Sequence, residues 1–399
     1  MYDLILPSWP PVFDPSVRIG MALLFAALAG EVVARLLRLP RITGYSLAGL
    51  ILGPAVLGWF GSADVKDYRL LIDLALALLL FEMGVRVDLK WFRANPVLLA
   101  TSVLEAGLAF ACTYAVMRMT GASTGVSAGV AVIAMSTSPA IVMRMALETR
   151  AEGQVTQRMF VLTALNVVYA VVAWQLIVGG MHGVFRGDWF IAVLHPAYML
   201  LGSVAVGGLL ALAFTLLRRA FNFNDEQGVA VLFGLLLSAT ALLLALKLPA
   251  LLAPLIAGIV IKNTDPRPHL WPRHFGTAGG VVVILLFVFT GLTLTPREFA
   301  LGGLVAALLI VVRSAAKTVG VLALGRWSGL SVRQALALGV ALSPMSGVAF
   351  LLASDVRAIY PEFGERLAAI VLSMAAILEL LSPIAVQWVL RACRETKEK

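Results

Sequence analysis

Seven ionisable side chains stand inside or at the edges of apolar stretches of this chain: Glu31, Asp73, Glu82, Glu105, Arg313, Lys317 and Glu379. A charged group at the centre of a membrane helix costs roughly 2.5–3.5 kcal/mol on insertion, so each needs a partner or a task. Lys317 lies midway along its stretch, with Arg313 one turn earlier. A buried lysine can neutralise helix C-terminal dipoles, and it can also release a proton. Both roles fit Lys317, whereas Arg313 reads as structural. Glu105 and Glu379 fit an ion-pair partner and a proton carrier equally. Asp73 and Glu82 read as helix-end or interdomain groups, and Glu31 as a structural carboxylate that snorkels to the interface. The chemistry open to this set is proton and ion movement.

Two further clusters interrupt apolar stretches at mid-depth: Met135-Ser136-Thr137-Ser138-Pro139 and Leu342-Ser343-Pro344-Met345-Ser346-Gly347. A broken spanning helix frees backbone groups that lipid cannot satisfy, so breaks survive only where protein or a water-filled cavity covers them. Two breaks in corresponding halves of one chain point to a midplane solute site in a secondary transporter. Half-helix N-termini would present N–H groups and C-termini carbonyls. Thr137, Ser138, Ser343 and Ser346 add hydroxyls as candidate ion- or solute-binding groups. A small cation ringed by oxygens and a small anion at the N-terminal ends both fit this pattern. Ordinary Pro and Ser/Thr kinks are the bland alternative for either break alone.

The elements that position these groups are membrane spans. The chain has 399 residues, 60% hydrophobic and 13% charged, with mean hydropathy +0.94. That composition defines an all-α polytopic membrane protein. At about 20 residues per crossing, thirteen spans are expected at 17–37, 42–60, 69–86, 96–118, 122–146, 156–180, 190–217, 228–247, 249–262, 277–295, 299–325, 332–355 and 366–391. Placing the C-terminus in the cytoplasm puts 20 Lys and Arg residues inside and 9 outside, with Arg313 and Lys317 within a span. This asymmetry predicts N-terminus out and C-terminus in, in a bacterial-type inner or plasma membrane. It also explains the net charge of +9 without nucleic acid as a partner.

No cofactor or metal site is expected. The two cysteines, Cys112 and Cys393, form neither a disulfide framework nor a metal cluster. His182, His195, His269 and His274 fall in loops or span ends, and no phosphate loop or nucleophile elbow is present, so the chain is not read as an enzyme. Trp59, Trp91, Trp189, Trp271, Trp327 and Tyr360 read as interfacial anchors. The first sixteen residues lack a basic stretch and hold Asp3 and Asp14, so no cleaved signal is expected.

An internal repeat orders the spans. Leu39–Leu52 (LPRITGYSLAGLIL) and Leu248–Ile261 (LPALLAPLIAGIVI) share Leu, Pro, Ala48/Ala257 and Gly49/Gly258 at an offset of 209 (248 − 39). The two break prolines lie 205 apart (344 − 139). This offset carries span 2 onto span 9 and span 5 onto span 12. Seven spans is an odd number, so the halves are inverted: residues 1–186 hold spans 1–6, 187–226 the linker span 7, and 227–399 spans 8–13. The polar turn from Asn222 to Gln227 marks their boundary.

In order and spacing, several motifs resemble the monovalent cation:proton antiporter superfamily, the sodium/proton exchanger-like fold. They are Pro40–Tyr45 continuing to Gly53-Pro54, Leu80-Phe81-Glu82-Met83-Gly84 before Asp88, the two breaks, Leu255–Gly258, Phe287–Gly291 and Ala316-Lys317-Thr318-Val319-Gly320. The resemblance spans nearly the whole chain. It implies a core domain of spans 4–6 and 11–13, in which broken spans 5 and 12 cross. It also implies a dimerisation domain of spans 1–3 and 8–10, a homodimer, and elevator-like movement of the core. Members usually carry Asn-Asp or Asp-Asp in the sixth span; here that pair is Asn166-Val167. Asn166 matches and the ion-binding carboxylate does not, and Gly347 stands where a Glu is common. Lys317 matches the family's buried base. The reading is therefore antiport of Na+ or K+ against protons, with Glu105 or Glu379 supplying the carboxylate or Lys317 carrying the proton. A facilitator or proton-coupled symporter of a small anionic or neutral solute, and a non-transporting membrane module, are the rival classes.

Overall fold

The computed structural model describes residues 15–60, 68–187, 189–221, 223, 225–264, 276–292, 295–345, 347–359 and 361–397. Ser346, Asn222, Tyr360, Trp271, His269, His274, Asp3 and Asp14, and the side chain of His182, to which the sequence assigned roles, lie outside the described residues.

Among the described residues there are sixteen helices and no strand. The first eight are α1 (Pro15–Leu36), α2 (Arg41–Leu52), α3 (Arg69–Val85), α4 (Leu89–Ala94), α5 (Pro96–Met119), α6 (Thr124–Met135), α7 (Pro139–Glu148) and α8 (Gln154–Arg186). After α9 (Trp189–Ala220) come α10 (Asp225–Ala245), α11 (Leu252–Thr264), α12 (Gly276–Leu292), α13 (Pro296–Gly325), α14 (Val332–Ala341), α15 (Gly347–Ile359) and α16 (Pro361–Ala392). Eight segments are long and apolar enough to cross a membrane: Val17–Leu36, Pro96–Met119, Thr124–Glu148, Gln154–Met181, Trp189–Ala220, Glu226–Ala245, Pro296–Gly325 and Gly364–Ala392. Shorter apolar helices cover Leu252–Thr264, Gly279–Leu292 and Val332–Ala341. The protein is thus an all-helical polytopic membrane protein.

Each expected span contains a helix, with two differences in extent. Expected span 42–60 is helical only to Leu52. Gly53 is extended (φ −77°, ψ −177°) because the ring of Pro54 disfavours helical backbone before it. Leu248 and Pro249 lie in the turn before α11 for a related reason: a proline cannot continue an established helix. The short helix α4 was not foreseen, though Asp88 caps it by accepting from the Lys90 and Trp91 amides at 2.8 and 3.4 Å.

The order of elements repeats. Helices α1, α2, α3, α5, α6, α7 and α8 recur as α10 to α16, with starts shifted by 200 (296 − 96) to 211 (252 − 41) residues. Even the turns agree. Arg38 and Lys247 both adopt φ +54°, closing α1 and α10, and each is followed by Leu-Pro. Only α4 and α9 have no counterpart among the described helices.

Two packing groups result. Helices α5, α6, α7, α8, α13, α14 and α16 pack on one another, and α1, α2, α3, α11 and α12 on one another. Small residues bring the backbones together. A Cβ on Gly49 would lie 2.2 Å from the Val288 carbonyl oxygen, and one on Gly291 2.4 Å from that of Ser46, which locks α2 to α12. Between the groups, the Arg41 amide donates to Glu148 of α7 (2.9 Å), and Arg144 of α7 donates to the Gly280 carbonyl (2.9 Å).

The chain's end fastens the first group. Gly153, before α8, offers no capping side chain, and the Glu395 carboxylate fills that role from 240 residues away. It accepts from the Val155 and Thr156 amides, each at 2.8 Å, and from the Thr156 hydroxyl at 2.7 Å.

Candidate functional site

Both interruptions predicted from the sequence are real, and they meet. In the first, Ser136 and Ser138 are extended (ψ 149° and 111°) between α6 and α7. Pro139 opens α7 at the position where a missing N–H costs nothing, and the Ser138 hydroxyl caps the helix by accepting from the Ile141 amide (3.4 Å). In the second, residues 343–345 leave the helical path between α14 and α15. The two extended peptides bond to each other: the Ser138 amide donates to the Pro344 carbonyl (2.9 Å), and the Thr137 hydroxyl to the Leu342 carbonyl (3.0 Å).

Arg313 holds this crossing from α13. Its Nε donates to Ala134 O (2.7 Å), Nη1 to Ser343 O (2.6 Å), and Nη2 to Ser136 O (2.5 Å) and Pro344 O (3.4 Å). Four carbonyls freed by the two breaks are therefore satisfied by one fully buried guanidinium, whose fixed fork suits that task. The cancellation of helix-end dipoles weighed for Lys317 falls chiefly to Arg313.

Lys317, one turn on, does something different. Its Nζ donates to Glu105 Oε2 (2.9 Å), Met135 O (2.9 Å) and Thr137 Oγ1 (3.3 Å). Lys317, Glu105, Thr137 and Asn166 are all fully buried. The pair spans 212 residues and depends on Gly320, where an added Cβ would lie 2.4 Å from the Glu105 Cα. Helices α5 and α13 touch backbone to backbone at that point, which brings the ammonium to the carboxylate.

Counting donors and acceptors shows what is left over. Lys317 has three N–H groups and all three are used. The Thr137 hydroxyl donates once and accepts from Lys317 and from Asn166 Nδ2 (3.1 Å), so it too is full. The other carboxylate oxygen, Glu105 Oε1, and the amide oxygen Asn166 Oδ1 are buried without a partner. So are Ser102 Oγ on α5 and Thr163 Oγ1 on α8, one turn from Glu105 and Asn166 respectively. Such groups are costly unless water or a bound ion answers them. The site is a cluster of acceptor oxygens around one carboxylate and one ammonium.

Not every expected residue joins it. Thr137, Asn166, Lys317 and Glu105 converge. Ser138 lies at the crossing but spends its hydroxyl on capping, and Ser343 contributes its carbonyl to Arg313. Ser346 is outside the described residues. Glu379 sits elsewhere, between α16 and the other packing group, where Ser46 of α2 donates to it at 3.0 Å and Thr290 of α12 also donates. Ser102 and Thr163 were missed. Only their i, i+3 spacing from Glu105 and Asn166 could have drawn attention to them. Val167 is fully buried within the apolar core, so no carboxylate stands beside Asn166 on α8.

A helical membrane fold with crossed broken helices over a buried ion pair is the architecture of a secondary transporter rather than an enzyme. The chain matches the family model for the transmembrane sodium/hydrogen exchanger over residues 20–392, and it belongs to that family. Among solved structures it is similar to the sodium/proton antiporter MjNhaP1 from Methanocaldococcus jannaschii at pH 8. That match has a TM-score of 0.75 and 18% identity, covering 96% of this chain and 99% of that one. An electron-microscopy structure of the same antiporter matches with TM-score 0.71 and 17% identity, covering 95% of each chain.

Proposed function

We propose that this exchanger-family protein swaps Na+ or K+ for a proton at the Glu105–Lys317 pair, the cation and the protonated Lys317 competing for one carboxylate. With Lys317 protonated, its ammonium neutralises Glu105. When that proton leaves, a dehydrated monovalent cation takes its place, met by Glu105 and the neutral oxygens of Asn166 and its neighbours. Either state balances Glu105 with one positive charge, so the net charge of the buried site stays the same, which the low dielectric of a membrane interior favours. The observation that carries this reading is the fully buried pair whose second carboxylate oxygen has no partner. It answers the absence of an acid at Val167: the negative charge comes from α5 instead of α8.

Alternating access then follows the elevator scheme. The group built on α5–α8 and α13–α16 moves as the core, against a dimerisation group of α1–α3 and α10–α12 with α9 as linker. The closer packing within each group than between them supports this division. Thirteen crossings, an inverted pair of repeats, a homodimer and a cytoplasmic C-terminus complete the proposal. The repeated element order and the 20:9 charge asymmetry support the topology. An anionic solute is the weaker alternative, since Arg313 is engaged by four carbonyls and all three N–H groups of Lys317 are used, which leaves neither free to bind an anion.

The test is dye-reported exchange in proteoliposomes. Glu105→Gln is expected to abolish Na+- and K+-driven proton movement while the protein still assembles. Cation-driven exchange at wild-type rate in that variant would refute the scheme. Uptake driven by an organic anion and blocked by Lys317→Ala would favour the symporter class.

A further inference from the structure

Glu379 is a further carboxylate buried in the membrane interior, and the exchange site does not use it. It is 2% exposed, in the middle of α16. Its partners are two hydroxyls of the opposite packing group: Ser46 of α2 donates to Oε1 at 3.0 Å, and Thr290 of α12 donates to the same oxygen. Those hydroxyls share one rigid surface, because Gly49 and Gly291 lock α2 against α12.

Among the described residues no charged side chain answers it: its partners are hydroxyls. On α2, Arg41 engages Glu31 (3.2 Å), and Tyr45 interacts with Arg144, Glu148, Arg41 and Glu31. On α7, Arg144 donates to Gly280 O, and Glu148 accepts from the Arg41 amide. On α13, Arg313 and Lys317 serve the crossing, and Glu298 caps its own helix. On α14, Arg333 donates to Ala392 O, while α12 and α6 carry no ionisable side chain. The side chains of Asp355 and Arg357 on α15 lie outside the described residues.

We propose that Glu379 is a second proton-binding site, set at the contact between the moving and the static group, which grips that contact when the proton is absent and releases it when the proton is bound. The proposal rests on the elevator reading given above. Thr290 supplies the switch. Its hydroxyl also reaches Leu286 O (3.0 Å) and Phe287 O (3.1 Å) of its own helix. A hydroxyl has one proton, so it serves either the carboxylate or its own helix. Against an ionised Glu379 it turns outward, and together with Ser46 it forms two charge-assisted bonds across the contact. When Glu379 takes up a proton, the Thr290 hydroxyl swings back to the helix carbonyls without losing a bond. The charge that held α16 to α2 and α12 is gone, and a neutral carboxyl can pass along an apolar surface.

Two readouts test this. In the infrared difference spectrum of a pH jump, the protein should show a protonated-carboxyl band that is lost in Glu379→Gln and kept in Glu105→Gln. In proteoliposomes, exchange by the unsubstituted protein should slow at alkaline pH, Glu379→Gln should lose that slowing, and Glu105→Gln should lose exchange at every pH. Should the Gln variant fail to fold, Ser46→Ala/Thr290→Val carries the test: it keeps the band and loses the alkaline slowing. An unchanged band, or an unchanged pH profile, overturns the proposal. Exchange that survives in Glu105→Gln while the Glu379 results hold would overturn only the assignment of the exchange site.

Discussion

The two halves of the chain repeat each other in architecture but not in chemistry. From the first half come the oxygens: Glu105 on α5, Thr137 at the break, and Thr163 and Asn166 on α8. From the second come the cations, Arg313 and Lys317, both on α13. The two breaks differ in the same way. The first offers Lys317 a carbonyl and a hydroxyl, Met135 O and Thr137 Oγ1, at 2.9 and 3.3 Å. Among its described residues the second offers carbonyls, from Leu342, Ser343 and Pro344. A duplicated scaffold has thus divided its labour, one copy supplying acceptors and the other the charges that answer them.

The largest way to break this division is at Arg313. Removing its side chain strands the buried carbonyls of Ala134, Ser136 and Ser343 and leaves Pro344 O with the Ser138 amide alone, so Arg313→Ala should lose about 3–5 kcal/mol or fail to assemble, read by thermal unfolding in detergent. Next come the members of the pair. Lys317→Met or Glu105→Leu alone strands a buried charge and should lose about 3–5 kcal/mol. The double variant should recover most of that stability yet remain inactive in exchange, and a double that stayed as unstable as the sum of the singles would mean the residues do not act together. Smaller is Gly320→Ala, whose methyl would press on the Glu105 backbone. Pushing α13 from α5 should cost about 1–3 kcal/mol and slow exchange by lengthening the ion pair. The smallest effect is expected from Asn166→Ala, which removes one neutral oxygen. It should weaken cation binding about tenfold, as one hydrogen-bonding group contributes roughly 1–1.5 kcal/mol, and the lost bond to Thr137 should cost about 1 kcal/mol of stability.

Much of the scaffold could be read from the residues. Both breaks announce themselves because a proline after serine cannot continue a helix, and serine prefers to cap. The repeat was legible from Leu-Pro and Ala-Gly at a constant offset, and the turns at Arg38 and Lys247 reproduce that offset in three dimensions. The helix of span 42–60 is shorter than its apolar run, which continues past Leu52; Gly53-Pro54, not hydropathy, sets where the helix stops. The pairing of Lys317 with Glu105 was not legible. Several membrane carboxylates competed for one lysine, and the choice is made by a backbone contact at Gly320 that no local pattern marks. Ser102 and Thr163 were hidden for a simpler cause: in an apolar helix a hydroxyl usually bonds its own preceding turn, as Thr101 does to Val97 (2.7 Å), and these two do not.

Glu395 has a reach out of proportion to its place near the end of the chain. The helix whose first amides it satisfies is the same rod that, twelve residues on, holds Asn166 against Thr137. Trimming the tail at Cys393 would uncap that rod at its polar end, and the looseness would be felt deep in the bilayer. A reporter domain meant to leave transport untouched therefore belongs behind this clasp, never in place of it.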